Sequence, residues 1–356
     1  MSRVLKFDLL IPIFILIFFS LTTLVSLDFA LFRNQLIFTF LGLIVFFTLS
    51  LIDYRVLKKL ASPILIFSLI ALYLVLLIGI EARGATRWLA IGGLRLQLSE
   101  ILKPFLLVSF ASFLIRQKLF FMAFLATLVV IGLVVLPIFF QPDLGNTLVY
   151  IFTAVIIFIF YGVPIIWFMA PTLVLAIASP ILWQILRDYQ RERIISFINP
   201  TLDPQGTSYN LIQSVIAIGG GQFFGRGLGH GTQSLLKFLP ERHTDFIFST
   251  IAENFGFVGA VIVIAAFVFL LFRIYDALNK VDDQFGKLIC GGVFSFLLVH
   301  FIINIGGNLG VLPITGITLP LVSYGGSSLL STFILLGLVS SIANLTARSP
   351  QVLEIR

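Results

Sequence analysis

About ten apolar runs, each close to twenty residues long, follow one another along the chain. A helix of about 20 residues crosses the ~30 Å hydrocarbon core of a bilayer and satisfies its own backbone hydrogen bonds there. Only 11% of the residues are charged, whereas a soluble domain carries roughly a quarter. The pattern excludes a water-soluble fold and predicts an all-α polytopic membrane protein of about ten transmembrane helices.

Apolar runs and the breakers between them place the predicted spans. They cover residues 7–27, 35–52, 63–80, 99–115, 120–139, 146–162, 164–184, 246–272, 286–307 and 324–345. The first run imitates a signal peptide, but it is too long and no small-residue cleavage site follows it, so we expect a span. Residues 1–356 are predicted to form one membrane domain, with a large extracytoplasmic loop at 187–245 between helices seven and eight.

Lysine and arginine are unequally distributed between the two ends of these spans. With the N-terminus inside, twelve lie on the inner side: Arg3, Lys6, Arg55, Lys58, Lys59, Arg116, Lys118, Arg273, Lys280, Lys287, Arg348 and Arg356. The short outer loops hold four: Arg33, Arg83, Arg87 and Arg95. The positive-inside rule, which does not count long loops, therefore makes both termini cytoplasmic. Chemistry should face outward, in segments 81–98, 141–145, 187–245 and 308–323.

Charge and cysteine content exclude two further classes of protein. The net charge is +7, but the basic residues lie at the ends of apolar runs, so topology explains them better than nucleic-acid binding does. The single cysteine, Cys290, lies inside an apolar run, which excludes disulfides within the chain and cysteine metal sites. We expect neither a nucleic-acid partner nor redox chemistry.

An acid and a base, Glu100 and Lys103, stand three residues apart in the fourth predicted span. This spacing puts both side chains on one face of a helix. A charge at the bilayer centre costs roughly 2.5–3.5 kcal/mol on insertion scales, so the pair requires an explanation. It is either a structural pair that neutralises itself near a helix start or part of a polar cavity, and both interpretations stay open.

The turn Gln141-Pro142-Asp143-Leu144-Gly145 joins the fifth and sixth spans on the predicted outer side. Proline limits its backbone and glycine permits a tight bend. Asp143 is therefore a candidate for a polar outer site. It is equally a candidate for the N-cap of the sixth span.

The long loop is rich in glycine and in basic residues. Seven glycines between positions 219 and 231 allow backbone amides to approach an anion, although no Walker or dinucleotide spacing is present. The basic residues suit a phosphate-bearing headgroup, but five acids accompany them, so a solvated surface is the alternative. These basic residues are Arg187, Arg191, Arg193, Arg226, Lys237 and Arg242.

Asp245 ends this loop at the predicted outer boundary of the membrane, immediately before the apolar run that begins at Phe246. A carboxylate there either caps the eighth helix, whose N-terminus carries partial positive charge, or acts in catalysis. An outer carboxylate, an ion pair at membrane depth and surrounding basic groups fit a reaction on a lipid-linked, phosphate-bearing substrate.

Six stretches in order between residues 84 and 328 resemble the SEDS family of shape, elongation, division and sporulation proteins, which includes RodA and FtsW, and the ten-span layout matches too. The stretches are Gly84-Ala85-Thr86-Arg87-Trp88, Ser99-Glu100 with Lys103, Gln141-Pro142-Asp143-Leu144-Gly145, Tyr209-Asn210 with Gln213-Ser214, Leu239-Pro240-Glu241-Arg242-His243-Thr244-Asp245-Phe246, and Leu319-Pro320-Leu321-Val322-Ser323-Tyr324-Gly325-Gly326-Ser327-Ser328. Segments 231–234, 241–243 and 313–317 are more similar to RodA, the elongation member. Leu98 stands where the family usually has proline, and Asn254 where it often has an acid, which leaves Glu253 as a second candidate acid.

The resemblance implies a peptidoglycan glycosyltransferase of the bacterial cytoplasmic membrane. It would polymerise lipid II at the outer leaflet, together with a class B penicillin-binding protein and the cell-elongation machinery. Asp245 matches the family's essential acid, Glu100 and Lys103 its functional pair, and Arg87 the arginine of the first large outer loop. The residues expected to bind substrate are Arg87, Arg191, Arg193, Arg242, Gln141, Asp143 and Ser327.

Inverting transfer to a sugar hydroxyl requires one base, and we assign that role to Asp245. The diphosphate leaving group requires charge compensation, from Lys103, Arg87 or a divalent cation such as Mg²⁺ or Mn²⁺. A lipid II transporter and a division polymerase of the FtsW type are the alternatives. A pure scaffold would not explain charges at membrane depth.

Overall fold

The computed structural model describes residues 2–82, 85–91, 94–116, 120–200, 206 and 208–347. Fourteen helices lie in these ranges: α1 Ser2–Leu27, α2 Phe29–Leu51, α3 Val56–Ile78, α4 Leu98–Ile101, α5 Lys103–Arg116, α6 Phe120–Phe140, α7 Leu144–Tyr161, α8 Met169–Ile185, α9 Asp188–Ile198, α10 Tyr209–Gly220, α11 Thr232–Leu235, α12 Ile247–Lys280, α13 Gln284–Asn308 and α14 Gly326–Thr346. Gly84 of the first matching stretch and the basic residues Arg83, Lys118, Arg348 and Arg356 lie outside the described residues.

Eight helical segments of the described chain are long and apolar enough to cross a membrane. They are Asp8–Leu27, Phe29–Leu51, Val56–Ile78, Leu144–Tyr161, Ile165–Ile185, Ile247–Lys280, Gln284–Asn308 and Gly326–Thr346. The two other predicted spans coincide with α5, which is shorter, and with α6. The predicted all-α polytopic membrane fold is confirmed.

The start of α2 differs from the prediction. The helix begins at Phe29 because Asp28 is its N-cap and accepts a hydrogen bond from the Ala30 N–H at 2.7 Å. The chain therefore turns within one residue of α1, and residues 29–34, which we placed outside the span, are helical.

A three-stranded antiparallel sheet forms the first large segment predicted to lie outside, where the all-α prediction had no strand. The strands are β1 Ile80–Ala82, β2 Ala85–Ile91 and β3 Leu94–Gln97, in the order β1-β2-β3. Trp88 pairs with Gln97 in the register of β2 and β3. The sheet places Arg87 and Gln97 beside the outer ends of the helices.

Helix α13 is the centre of the bundle and packs against α5, α7, α10, α12 and α14. Small residues allow these close approaches, because a Cβ on Gly292 would collide with Leu107 of α5. Helix α8, in contrast, lies at the periphery of the bundle, since none of its residues is buried. The central position of α13 brings its polar side chains to the candidate site.

Helix α12 is broken at Gly256, whose φ of 69° and ψ of −164° are not helical. A Cβ at this position would collide with the backbone of Gly225, so the glycine-rich loop passes directly against the break. The loop satisfies the backbone groups that the break exposes, as a membrane protein requires. Four hydrogen bonds of 2.9–3.2 Å join them: Phe257 N–H to Gln222 O, Val258 N–H to Phe223 O, Arg226 N–H to Glu253 O and Gly227 N–H to Asn254 O.

Candidate active site

Asp245 lies in a pocket at the predicted outer end of α12 and α13, which we name the outer pocket. It is lined by Asp245, Phe246, Ile303, Asn304, Gly307, Asn308, Ile314, Thr315, Gly316 and Ile317. The N-cap of α12 is Phe246, which has no side-chain capping hydrogen bond. Asp245 therefore stands one residue before the position at which the capping interpretation had put it.

The guanidinium of Arg193 and the carboxylate of Asp245 both lie next to Gly316. The position that a Cβ on Gly316 would occupy is 3.1 Å from Arg193 Nη1 and 3.4 Å from Asp245 Oδ2. Gly316 also has a φ of +77°, which side chains disfavour. A glycine at this position leaves space between the guanidinium of Arg193 on α9 and the carboxylate of Asp245, which precedes α12.

Glu100 and Lys103 form a buried ion pair, with Lys103 Nζ 2.7 Å from Glu100 Oε1. A third residue joins them: Lys103 Nζ is 2.8 Å from His300 Nε2 of α13. All three residues are buried, and none of them lines the outer pocket. They line a buried cavity with Ser331, whose hydroxyl has no hydrogen-bond partner within the structure. The pair borders a small cavity and is also a buried ion pair that neutralises itself, so the structure agrees with both interpretations.

Asp143 is the N-cap of α7, as one of the two interpretations had it, and accepts from the Asn146 N–H at 3.2 Å. Its other oxygen accepts from Gln97 Nε2 at 2.9 Å and from Asn146 Nδ2 at 3.0 Å. Arg87 Nη1 approaches its carboxylate to 3.7 Å. Asp143 therefore fastens the sheet to α7 and is buried by these contacts.

Three other predicted substrate ligands are hydrogen-bonded within the protein. Gln141 is buried and donates to the Leu72 carbonyl at 3.0 Å, and Ser327 Oγ accepts from the Gln97 N–H at 3.2 Å. Arg191 binds carbonyls at the end of α8. Arg242 differs from these three: burial lowers the pKa of its guanidinium, and its buried Nε has no hydrogen-bond partner among the described residues. Arg193 is the predicted substrate ligand that lies with Asp245 beside Gly316.

The predicted divalent cation finds no dedicated protein cage. Among the described residues, no group of three or more histidine, cysteine or acidic side chains is arranged to hold a metal ion. Asp245 stands beside a guanidinium rather than beside further carboxylates.

Comparison with protein families decides the relationship of this chain. The model of the cell cycle protein family of FtsW, RodA and SpoVE matches residues 3–348. The chain belongs to this family. The resemblance inferred from the six ordered stretches is therefore confirmed, and it covers nearly the whole chain.

Curated members of the FtsW/RodA/SpoVE family cover most of the chain. Peptidoglycan glycosyltransferase MrdB of Escherichia coli K12 is 37% identical over 315 residues, which are 85% of this chain and 82% of that protein. A probable peptidoglycan glycosyltransferase FtsW of Wigglesworthia glossinidia brevipalpis is 34% identical over 316 residues, 86% of this chain and 82% of its own.

Solved structures of the family share this fold. The rod shape determining protein RodA of Thermus thermophilus superposes with a TM-score of 0.70 at 30% identity, covering 94% of this chain and 95% of that one. A chain from a peptidoglycan synthase complex that coordinates polymerization and crosslinking gives a TM-score of 0.83 at 32% identity, covering 96% and 98%. The predicted similarity to RodA is confirmed.

Glu253 is the second candidate acid within the family's pattern. Its carboxylate binds backbone N–H groups of the protein. Its two carboxylate oxygens accept the N–H groups of Gln233 at 2.8 Å and Ser234 at 2.9 Å, in the first turn of α11. It is 1% exposed. A carboxylate is favourable at a helix N-terminus, so Glu253 holds the loop against α12.

We expect Glu253→Gln to weaken this attachment, because an amide offers one acceptor and turns its NH₂ group toward a backbone N–H. Hydrogen bonds to a charged group contribute about 1.5–3 kcal/mol each, so a clear fall in the unfolding midpoint should result. The measurement is thermal unfolding in detergent, with limited proteolysis of residues 221–236. Asp282→Asn, at an exposed acid, is the matched control. Unchanged midpoint and proteolysis would refute the structural role.

Proposed function

We propose that this chain is a peptidoglycan glycosyltransferase that polymerises lipid II into glycan strands during cell elongation. The observation that carries the proposal is the outer pocket, where Asp245 and Gly316 lie with Arg193 beside Gly316, in a chain similar to named peptidoglycan glycosyltransferases. The position of Asp245 at the membrane boundary suits a substrate whose lipid stays in the bilayer and whose sugars lie outside it.

In the proposed reaction, the 4-hydroxyl of an acceptor sugar attacks the anomeric carbon of a lipid diphosphate-linked sugar. The bond from that carbon to the diphosphate oxygen breaks, and the configuration changes from α to β. Asp245 takes the hydroxyl proton, a contribution of roughly a hundred- to ten-thousand-fold to the rate. The undecaprenyl diphosphate leaves with the bonding electrons.

Charge on the leaving diphosphate requires a cation, and Arg193 is the one we assign. A guanidinium matches phosphate oxygens in a bidentate manner, and this one stands beside the base. Lys103 is enclosed between Glu100 and His300, so we propose that the pair acts by holding the site together. Arg87 and a divalent cation remain further candidates for the diphosphate.

The absence of a strong repeat in the sequence favours polymerisation over transport. Transporters use discontinuous helices in related halves that bind near the bilayer midplane. Here α4 and α5 are interrupted at Leu102, near the predicted outer end of their span, and α12 at Gly256, about 15 Å along its predicted span. The two breaks lie at different depths, so they do not form the matched pair that a transporter would use.

The partner and the location follow from the same proposal. A class B penicillin-binding protein would crosslink the product, in line with the similar chain from a complex that coordinates polymerization and crosslinking. The chain would lie in the bacterial cytoplasmic membrane with both termini inside, because the predicted inner ends carry most of the basic residues. An elongation role is favoured over division by its RodA-like segments.

We expect the purified protein with its cognate partner to convert labelled lipid II into linear glycan when penicillin blocks crosslinking. Gel separation of the products measures this. The same preparation in vesicles tests movement of lipid II between leaflets. Absence of polymer together with such movement would establish the transporter alternative instead.

A further inference from the structure

Three buried polar residues repeat every four positions on α13: His300, Asn304 and Asn308. Residues at this spacing lie on one face of a helix. Polar side chains within an apolar span are costly unless they are bonded, so the stripe requires a role. None of the three belongs to the residues predicted from the sequence.

The side chain of Asn308 hydrogen-bonds to the backbone at the start of α12, at Asp245 and Ser249. Its Nδ2 donates to the Asp245 carbonyl at 2.9 Å, and its Oδ1 accepts from the Ser249 N–H at 3.1 Å and the Ser249 hydroxyl at 2.7 Å. An α-helix would join that carbonyl and that N–H directly. The amide of Asn308 thus bridges them, and the backbone of Asp245 is held by α13.

Asn304 ties the same carbonyl to the opposite wall of the outer pocket. Its Nδ2 donates to the Asp245 carbonyl at 3.0 Å and to the Ile317 carbonyl at 2.8 Å. One amide group therefore fixes the separation between Asp245 and the segment that contains Gly316.

His300 extends this connection to the buried pair. Its Nδ1 is 2.9 Å from the Thr318 carbonyl, which can only accept, so Nδ1 carries the proton. In the neutral ring Nε2 is then an acceptor, which matches its contact with Lys103 Nζ. The stripe thus reaches from the buried ion pair to the candidate base.

We infer that Asn304 and Asn308 are positioning residues for the transferase reaction: they fix the backbone of Asp245 relative to α13 and to the segment that contains Gly316. The inference rests on the proposed role of Asp245 as the base. A displacement of about 1 Å at a reacting group is enough to cost on the order of a hundredfold in rate. Loss of these bonds should therefore lower kcat and leave the binding of lipid II in place.

Asn308→Leu and Asn304→Ala test this in the purified complex with lipid II. We expect Asn308→Leu to lower kcat about 10- to 100-fold, with KM within about threefold. Asn304→Ala leaves the Asn308 donor on the Asp245 carbonyl, so we expect a smaller fall in kcat. If Asn308→Leu does not fold, the kcat of Asn304→Ala tests the inference. Asn344→Leu is the matched control, because Asn344 is also buried and donates to a carbonyl, that of Ser50, at the other end of the bundle.

A kcat within about threefold of wild type in a folded Asn304→Ala variant would overturn the inference. The inference would also be overturned if kcat falls only in proportion to the unfolding midpoint, as in Asn344→Leu. A selective fall in kcat in the asparagine variants of the outer pocket, with Asn344→Leu unchanged in kcat, supports it. An active Asp245→Asn variant would contradict the base assignment and remove this inference with it. An inactive Asp245→Asn beside fully active Asn304 and Asn308 variants would overturn the positioning role alone.

Discussion

Asp245→Asn is expected to lower the rate of lipid II polymerisation by roughly a hundred- to ten-thousand-fold while the protein stays folded. Asparagine keeps the shape of the side chain and the backbone carbonyl to which Asn304 and Asn308 donate. It has no carboxylate to accept the hydroxyl proton. Since Phe246 is the N-cap of α12, the exchange also removes no N-cap side chain from that helix.

The test compares initial polymerisation rates, thermal unfolding and binding to the partner. Asp188→Asn is the control, because Asp188 is an acid of the same loop with a side chain 93% exposed. We expect that variant to match wild type in all three measurements. If Asp245→Asn polymerises lipid II near the wild-type rate, Asp245 is not the base, and Glu100 becomes the next candidate because Glu253 is occupied by backbone N–H groups.

Lys103→Ala is expected to destabilise the protein by about 3–5 kcal/mol, the cost of leaving one charge of a buried pair without its partner. Glu100 would remain buried among apolar neighbours of the cavity, such as Phe296 and Leu297. His300 would also lose its contact with Nζ. We expect little folded protein in detergent, and polymerisation should fall with it.

Glu100→Gln should be milder, because it removes the charge and keeps the shape. The double variant Glu100→Gln with Lys103→Met removes both charges and should recover most of the stability lost in Lys103→Ala. Size-exclusion profiles and unfolding midpoints measure recovery, and lipid II polymerisation measures function. A double variant that is stable and fully active would reduce the pair to a structural element. One that is stable but inactive would establish its functional role.

The spans could be predicted from the sequence because apolar run length is a local property. The same holds for the N-cap role of Asp143, which needs only the residues that follow it. The sheet had a local signal as well: two glycines at positions 92 and 93 stand between short runs of strand-forming residues. The apolar-run pattern assigns this segment to an outer loop, so the prediction contains no sheet there.

The assembly of the site depends on contacts between residues far apart in the chain, which the sequence pattern does not encode. Arg193 was one of six basic candidates in the long loop until the fold brought it to Gly316. Arg191, two residues earlier, points to the end of α8 instead. The signal for Asn304 and Asn308 was polar spacing of four in an apolar helix, and it indicates a buried face without indicating what that face binds.

The break at Gly256 separates the end of α12 that follows Asp245 from the rest of this helix. Residues 247–255 form an arm about 13 Å long, fastened to the glycine-rich loop and to α13. Spans adjust to bilayers of different hydrophobic thickness mainly by tilting. Because the rest of α12 meets the arm at a non-helical residue, tilt of that part does not have to rotate Asp245. The carboxylate can therefore keep its geometry in membranes of different lipid composition.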